Sequence, residues 1–302
     1  CLLLFDNMNQ PPVIVGLGEI LWDVFPDESR FGGAPANFAA HCAALGAEVA
    51  MVSAVGEDDL GRRALEELAA RNVNSDCVAR SARPTGTVQV TLDVAGKADY
   101  VFAADTAWDR LEWTDELRAL AARADVVCFG SLGQRSPRSC QTIRRFVGSA
   151  PNDSLRIFDV NLRQHFYNDD TLDDSLFLAN LLKLNDEEID IVDPEGRDAE
   201  PVARLQALRE QHELHLVALT RGDQGALLVG ENSVSDLPGV PSDVKDTVGA
   251  GDAFTAVLAH GLLRSVPLDE INRRACEIAA YVCSQNGATP DLPESLRNPF
   301  EA

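Results

Sequence analysis

Short apolar runs rich in β-branched residues alternate with helical patterns along most of the chain. VIVGLGEILWD (13–23) is followed by NFAAHCAALG (37–46), EVAMVSAVG (48–56) and DDLGRRALEELAARN (58–72). Strand, helix, strand in this order predicts a parallel sheet joined by crossover helices, an α/β architecture. ADVVCFGS, SLRIFDVN, LVALTRG and GALLVG read as later strands; several are near-continuous apolar runs, as expected when helices cover both faces of a sheet. PVARLQALREQHE and LDEINRRACEIAAYVCSQNG supply helices between and after them.

One stretch breaks the alternation. GTVQVTLDVAGKADYVFAAD (86–105) reads as strand, glycine-containing turn, strand, and predicts a β-hairpin inserted at about 84–106. A hairpin projecting from an α/β body suits a lid or a dimer surface. The polar DPEGRDAEP (193–201) reads as a surface connection, and no internal repeat occurs. The length of 302 residues fits one large domain, taken here as 11–302.

Composition narrows the classes of function. No run of eighteen apolar residues is present, so no membrane-crossing helix is expected, and the opening CLLLFDNMNQ lacks the basic stretch of a signal peptide. A formal charge of -22 with only three lysines argues against binding to nucleic acid or an anionic membrane. An acidic proteome or a salty habitat explains that charge better than any function. The seven cysteines are odd in number and form no C-x-x-C pair, which predicts small buried hydrophobes in a reducing, cytoplasmic compartment. The five histidines make no spaced ligand set and are expected to be solvated or in the core.

The strongest chemical signal is KDTVGAGDAFTAVLAHGLL (245–263). Phe254, Val257, Leu258, Gly261 and Leu262 fall on one helical face, so a helix is expected to start near Gly249 to Gly251. The first amides of a helix have no internal partner and glycines let a ligand come close, which makes such a start an anion site. An acid there can simply favour the helix dipole, worth about 0.3–1 kcal/mol. Gly-Ala-Gly before Asp252 is not required by that role and costs helix stability. A carboxylate beside an anion hole suits proton removal from a hydroxyl as it attacks a phosphoryl group. GLGEIL (16–21) begins like a dinucleotide fingerprint but has Leu21 where the third glycine belongs, and no Walker-type GK[ST] exists.

Near the front, Asp23, Gly32, Gly33 and Asn37 gather an acid, an amide and two glycines able to meet sugar hydroxyls. FGGAPANFAAHCAALG with VGEDDLG, and DTVGAGDAF near the C-terminal end, resemble the two signatures of the ribokinase-type (phosphofructokinase-B) sugar kinases, over about Val13 to Pro293. Pro35 in GGAPAN and the AWD of 107–109 are more similar to the fructokinase branch than to ribokinase itself. The resemblance implies a ribokinase-like three-layer sandwich with a mostly parallel sheet of about nine strands, a small β lid, ATP near the C-terminal half and sugar under the lid.

It also implies roles, residue by residue. Asp252 matches the catalytic base, and Gly249, Ala250 and Gly251 the anion hole; Asp23, Gly32, Gly33 and Asn37 match sugar-binding positions. In FDVNLRQ, Arg163 is similar to an arginine that meets sugar or the transferring phosphate, with Val160 where proline is usual; a plain surface arginine fits equally well. KLNDEEI resembles the family's N-x-x-E segment, in which Asn185 and Glu188 hold Mg²⁺ through water, although the same spacing makes a capping box. Thr220, Arg221 and Gly222 in TRGDQGALL, with Asn286 and Gly287 in SQNGATPDLP, match nucleotide-binding positions; a strand turn and a helix stop account for the same residues. Asp246 and Val248 match positions that enclose K⁺ in many members.

The implied reaction is ATP-dependent phosphorylation of a primary sugar hydroxyl, with fructose first among acceptors and ribose, ketodeoxygluconate or a nucleoside as alternatives. Gln89, Tyr100 and Phe102 on the hairpin are the residues placed to read the sugar or simply to pack the lid, which could also pair two chains as a homodimer. A catalytically silent sugar or nucleotide sensor on the same fold is the rival of another class. The intact Gly-Ala-Gly-Asp favours the enzyme.

Overall fold

The first expected strand divides in two. Its first half, β1 (Val13–Leu17), runs into Gly18, whose φ of +147° lies outside the range side-chain residues favour. Beyond that turn the chain enters β2 (Leu21–Val24), which belongs to a second sheet. Asp23 therefore sits in the small sheet and not at the end of the first large-sheet strand. The alternation of apolar residues could not show this, because it does not say which sheet a strand joins.

The computed structural model describes residues 11–92 and 98–300. The N-terminal CLLLFDNMNQ, Cys1 and the tip of the hairpin around Gly96 lie outside the described residues. The remaining strands are β3 (Ser29–Gly32), β4 (Glu48–Gly56), β5 (Val73–Asn74), β6 (Val78–Ser81), β7 (Gly86–Leu92), β8 (Ala98–Phe102), β9 (Val126–Phe129), β10 (Leu155–Asp159), β11 (Leu181–Asn185), β12 (Leu216–Thr220), β13 (Ala226–Gly230) and β14 (Val234–Leu237). The helices are α1 (Ala34–Ala44), α2 (Asp59–Ala70), α3 (Asp115–Ala121), α4 (Pro137–Val147), α5 (Asp169–Leu178), α6 (Ile189–Val192), α7 (Pro201–Gln211), α8 (Ala250–Leu263), α9 (Leu268–Cys283) and α10 (Glu294–Arg297).

Ten strands form the large sheet in the order β14-β13-β12-β11-β10-β9-β1-β4-β5, with β6 on the far part of β4. It is parallel except for the antiparallel pairs at β12, β13 and β14. Alternating side chains feed two cores. Ile14, Val126 and Ile157 face the one shared with α1, α8 and α9, while Val15, Val127 and Phe158 face the one shared with α4, α5 and α7. Each such fully buried side chain stabilises the fold by about 1.5–3 kcal/mol. Helices on both faces complete a three-layer α/β architecture. Helix α8 is buried on almost every side, Ala253, Thr255, Ala256 and Ala259 included, while Leu262 is partly exposed, so the single apolar face expected from sequence is not how this helix packs. It lies between α1 and α9, where small residues permit close approach.

The small sheet has the order β3-β2-β7-β8, so the predicted hairpin of β7 and β8 is extended by β2 and β3. Trp108 seats it against Leu21, Val88 and Leu132; a side chain at Gly86 would stand 2.3 Å from the indole nitrogen. Asp109 pairs with buried Arg135 at 2.7 Å and accepts the Thr106 amide at 2.8 Å, so the AWD segment anchors the small sheet. No helix among the described residues is long and apolar enough to cross a membrane.

Candidate active site

Chemistry-bearing residues collect at the carboxyl ends of the parallel strands, where β1 lies between β9 and β4 and the strand order reverses. Asp159 ends β10, Asn185 ends β11 and Thr220 ends β12. Helix α8 brings its N-terminus to this edge through Gly249, which adopts φ 83°. A Cβ there would come 2.1 Å from the carbonyl oxygen of Ala288, so only glycine fits. Replacing Gly249 with alanine is expected to lower the melting temperature and to cost roughly 1–3 kcal/mol, measured by denaturant unfolding.

Asp252 lies in the opening turn of α8, where the amides of Gly251 and Asp252 have no carbonyl partner within the helix, while the Ala250 amide reaches the Thr247 carbonyl at 3.4 Å. The Asn37 side-chain amide, carried on α1, donates to Asp252 Oδ2 at 2.8 Å. Burial, then the negative charge of Asp159, pushes the Asp252 carboxyl up to about 7, against Asn37, Lys183 and Arg163, which favour its ionised form. The acid is thus poised to exchange a proton near neutrality.

Sequence reasoning missed the group that organises this corner. Lys183, buried on β11, donates to Asp159 Oδ1 at 3.0 Å, and Thr255 on α8 donates to Asp159 Oδ2 at 2.9 Å. A side chain at Gly251 would stand 3.0 Å from Lys183 Nζ, so the ammonium lies directly against the start of α8. Burial works against that charge, but Asp159, Glu188 and Asp252 together hold its pKa above the ordinary value. The available signal was a lysine inside the apolar run LLKLN, where an unpaired charge would be costly.

Glu19 was also missed, although it stands in the GLGEIL stretch. It is 2% exposed, and burial first pushes its carboxyl up to about 7, with Arg163 opposing and Asp252 reinforcing. Its Oε2 and the Oδ1 of Asn37 are buried acceptors without a hydrogen-bond donor. Such atoms are costly unless a ligand supplies donors. Gly33, at φ 110°, lets the chain pass Glu19; a Cβ there would meet the Glu19 carbonyl oxygen at 2.5 Å. A Cβ at Gly32 would lie 3.2 Å from Asp23 Oδ2. Burial raises the Asp23 carboxyl to about 6, with Arg163 opposing.

Arg163 is exposed and, among the described residues, donates to the Leu162 carbonyl, yet its charge reaches Glu19, Asp23 and Asp252. Asn161 and Gln164 flank it with φ of 43° and 48°. Gln164 donates to the Tyr100 carbonyl at 2.6 Å and Phe166 packs edge-on against Phe102, so this loop meets β8 of the small sheet. Gln89 and Tyr100 are exposed, and Phe102 is spent on this packing.

On the opposite side, Asn185 Oδ1 accepts the amides of Glu187 and Glu188, and Glu188 returns one oxygen to the Asn185 amide and the other to Leu162, each at 2.9 Å. This is the reciprocal capping pattern that the spacing also allowed. Each Glu188 oxygen keeps a free lone pair, so the pair fits a hydrated Mg²⁺, which favours oxygen ligands and retained water. Thr220 bonds the Leu184 carbonyl, and Gly222 faces open space at φ 57°. Arg221 pairs with Asp236 at 2.5 Å. Gly287, beside exposed Asn286, donates its amide to Asp246 Oδ2 at 3.2 Å.

Asp246 and Val248 do not fit a bound K⁺ well. Asp246 Oδ1 accepts the Val248 amide at 3.1 Å, and Oδ2 takes Arg30 Nη1 at 3.3 Å besides Gly287. Unlike Glu188, this carboxylate has a guanidinium cation against one of its oxygens in addition to the two amides.

The chain is similar to known proteins over most of its length. The family model described as pfkB family carbohydrate kinase matches residues 14–295. A fructokinase from Klebsiella pneumoniae is 32% identical over 300 residues, covering 92% of this chain and 95% of its own. A sugar kinase structure from Pyrococcus horikoshii in complex with ATP superposes with a TM-score of 0.78 at 28% identity, over 91% of this chain and 94% of that one. A fructokinase structure with bound ATP from Xylella fastidiosa shares the fold with a TM-score of 0.82 at 24% identity, covering 95% and 97%.

Proposed function

The chain belongs to the pfkB family of carbohydrate kinases and is an ATP-dependent sugar kinase; we propose that its acceptor is fructose, phosphorylated on a primary hydroxyl. The observation that carries this reading is the buried carboxyl of Asp252, raised to about 7 at the amide-rich start of α8, with the undonated acceptors of Glu19 and Asn37 close by. A polyol brings several O–H donors at once. On this reading, Asp23, Asn37, Glu19 and the backbone at Gly32 and Gly33 bind and orient the sugar.

Asp252 takes the proton of the attacking hydroxyl while the new O–P bond forms and the bond from the γ-phosphorus to ADP breaks. Amides of Gly249, Ala250 and Gly251, with Lys183 beside them and Arg163 across the site, stabilise the charge that develops. Mg²⁺, held through water by Asn185 and Glu188, would neutralise the ATP phosphates. Thr220, Gly222, Asn286 and Gly287 border the nucleotide, and Arg221 positions that edge through Asp236. The hairpin closes over the sugar and keeps out water that would waste ATP.

Residues 11–302 act as one kinase domain, with the hairpin of about 84–106 as its lid. Six free thiols among the described residues and the use of ATP suit the cytoplasm. The edge strand β8 leaves Tyr100 46% and Val101 56% exposed, apolar area that pairing two lids would cover in a homodimer. Sedimentation velocity is expected to show a dimer that Val101→Glu dissociates; a wild-type monomer would contradict the pairing.

The acceptor is tested by coupled ADP release with Mg²⁺-ATP against fructose, ribose, tagatose, ketodeoxygluconate and nucleosides. Fructose is expected to give the highest kcat/KM. A different acceptor at ten times that value or more would overturn the assignment.

A further inference from the structure

Arg30 stands at Asp246 where a monovalent cation would be needed, and we propose that this kinase carries that cation on its own lid sheet and does not require potassium. The inference deepens the sugar-kinase reading and rests on it for its activity arm. Arg30 lies on β3, opposite Asp23, and reaches across to the loop that leads into α8. Its Nη1 is 3.3 Å from Asp246 Oδ2, while Glu28 takes Nε at 2.9 Å and Nη2 at 2.5 Å. The Phe25 ring lies under the guanidinium, 4.8 Å from centroid to Cζ. The side chain is held from two sides.

A dehydrated K⁺ needs a cage of oxygens to replace its water. Here two neighbouring carbonyls already accept hydrogen bonds. Cys283 O accepts the amides of both Lys245 and Asp246, and Ala288 O bonds the ring of buried His41 at 2.9 Å. Burial pushes His41 down to about 4, so at neutral pH the ring is uncharged and adds no competing cation. Asp246 has amides on both carboxylate oxygens. A guanidinium needs no such cage, is always charged, and is tethered, so solution potassium does not set its occupancy.

The arrangement has a structural consequence. Asp246 receives the Gly287 amide of the nucleotide edge and lies three residues before Gly249, so its neutralisation steadies the turn that presents the anion hole. Because Arg30 comes from the small sheet, the same ion pair ties the lid to that turn. Arg30, Asn286 and Gly287 line one open cavity of about 470 Å³, so ions from solvent can reach the place the guanidinium leaves in a variant.

The test compares wild type and Arg30→Ala at constant ionic strength, exchanging KCl for tetramethylammonium chloride, by thermal melting and by ADP release with fructose. Wild-type melting is expected to stay within about 2 °C across the exchange and turnover within about twofold. Arg30→Ala is expected to lose about tenfold in turnover without potassium, and to regain part of it, with a higher melting temperature, when K⁺ is supplied. A wild type that melts higher in K⁺ or needs it for turnover overturns the proposal. So does an Arg30→Ala variant that matches wild type, or whose loss K⁺ leaves unchanged. If no sugar is turned over but melting follows the expected pattern, the fructose reading fails and the cation assignment stands.

Discussion

Asp252→Asn is expected to reduce kcat by about 10²–10⁴-fold while leaving the KM for ATP within a few fold. The amide keeps the size of the side chain and can still bond Asn37, but cannot take the proton of the attacking hydroxyl. Stability should move the other way. The wild-type carboxyl is raised from 3.8 to about 7, so the folded state holds a proton that the unfolded chain has released. This contribution is complete below pH 3.8, fades as pH rises towards 7 and is absent above it, where the charged carboxylate stays buried at a cost. At pH 8 the variant is therefore expected to unfold at higher denaturant, by up to about 4 kcal/mol. A gain in stability with a loss of rate marks an acid kept for chemistry. Equal loss of both would mark a structural residue.

Lys183→Met is the second large effect. The substitution keeps much of the volume but leaves Asp159 buried at 5% exposure without its cation, held only by Thr255. Losing one partner of a buried pair costs about 3–5 kcal/mol. Adding Asp159→Asn should restore most of that stability, because an amide carries no charge to strand. Activity should not return with it: the ammonium beside Gly251 is missing in both variants, and kcat is expected to remain about 10²-fold down. Lys183 also lowers the pKa of Asp252, so its removal should shift the acid limb of activity to higher pH. Recovery of rate in the double variant would assign Lys183 to the fold alone.

The two ends of the site differed in how far the sequence revealed them. Gly249 to Asp252 were readable because a glycine-rich helix start is local: its φ requirement, free amides and acid all lie within one turn. Asn37 and Gly33 were readable for the same reason at the start of α1. The Lys183, Asp159 and Thr255 network was not, since its members come from β11, β10 and α8 and meet only when the sheet is assembled. Glu19 was hidden by a glycine pattern that drew attention to dinucleotides, although an acid just beyond a buried strand was itself informative. The ion pair of Arg221 with Asp236 depends on the antiparallel return through β14, which no local pattern in TRGDQGALL announces.

In the fold, the alternation of strands and helices gave the main sheet, while Gly18 changed the outcome at one point by sending Asp23 into the small sheet. That change brings an acid from the small sheet to face a site built on the large one. On the proposed reading, sugar binding and lid closure would run through the same strand pair.

The most direct test of the whole account is the pH dependence of fructose kcat/KM at saturating Mg²⁺-ATP, from pH 5.5 to 9, with fructose-dependent ADP release as the readout. The account predicts a rate that rises through an apparent pKa near 7 and then levels, the limb belonging to the coupled Asp252 and Glu19 carboxyls. A rate that is flat across this range, or that falls as pH rises through 7, would contradict a base held protonated by burial.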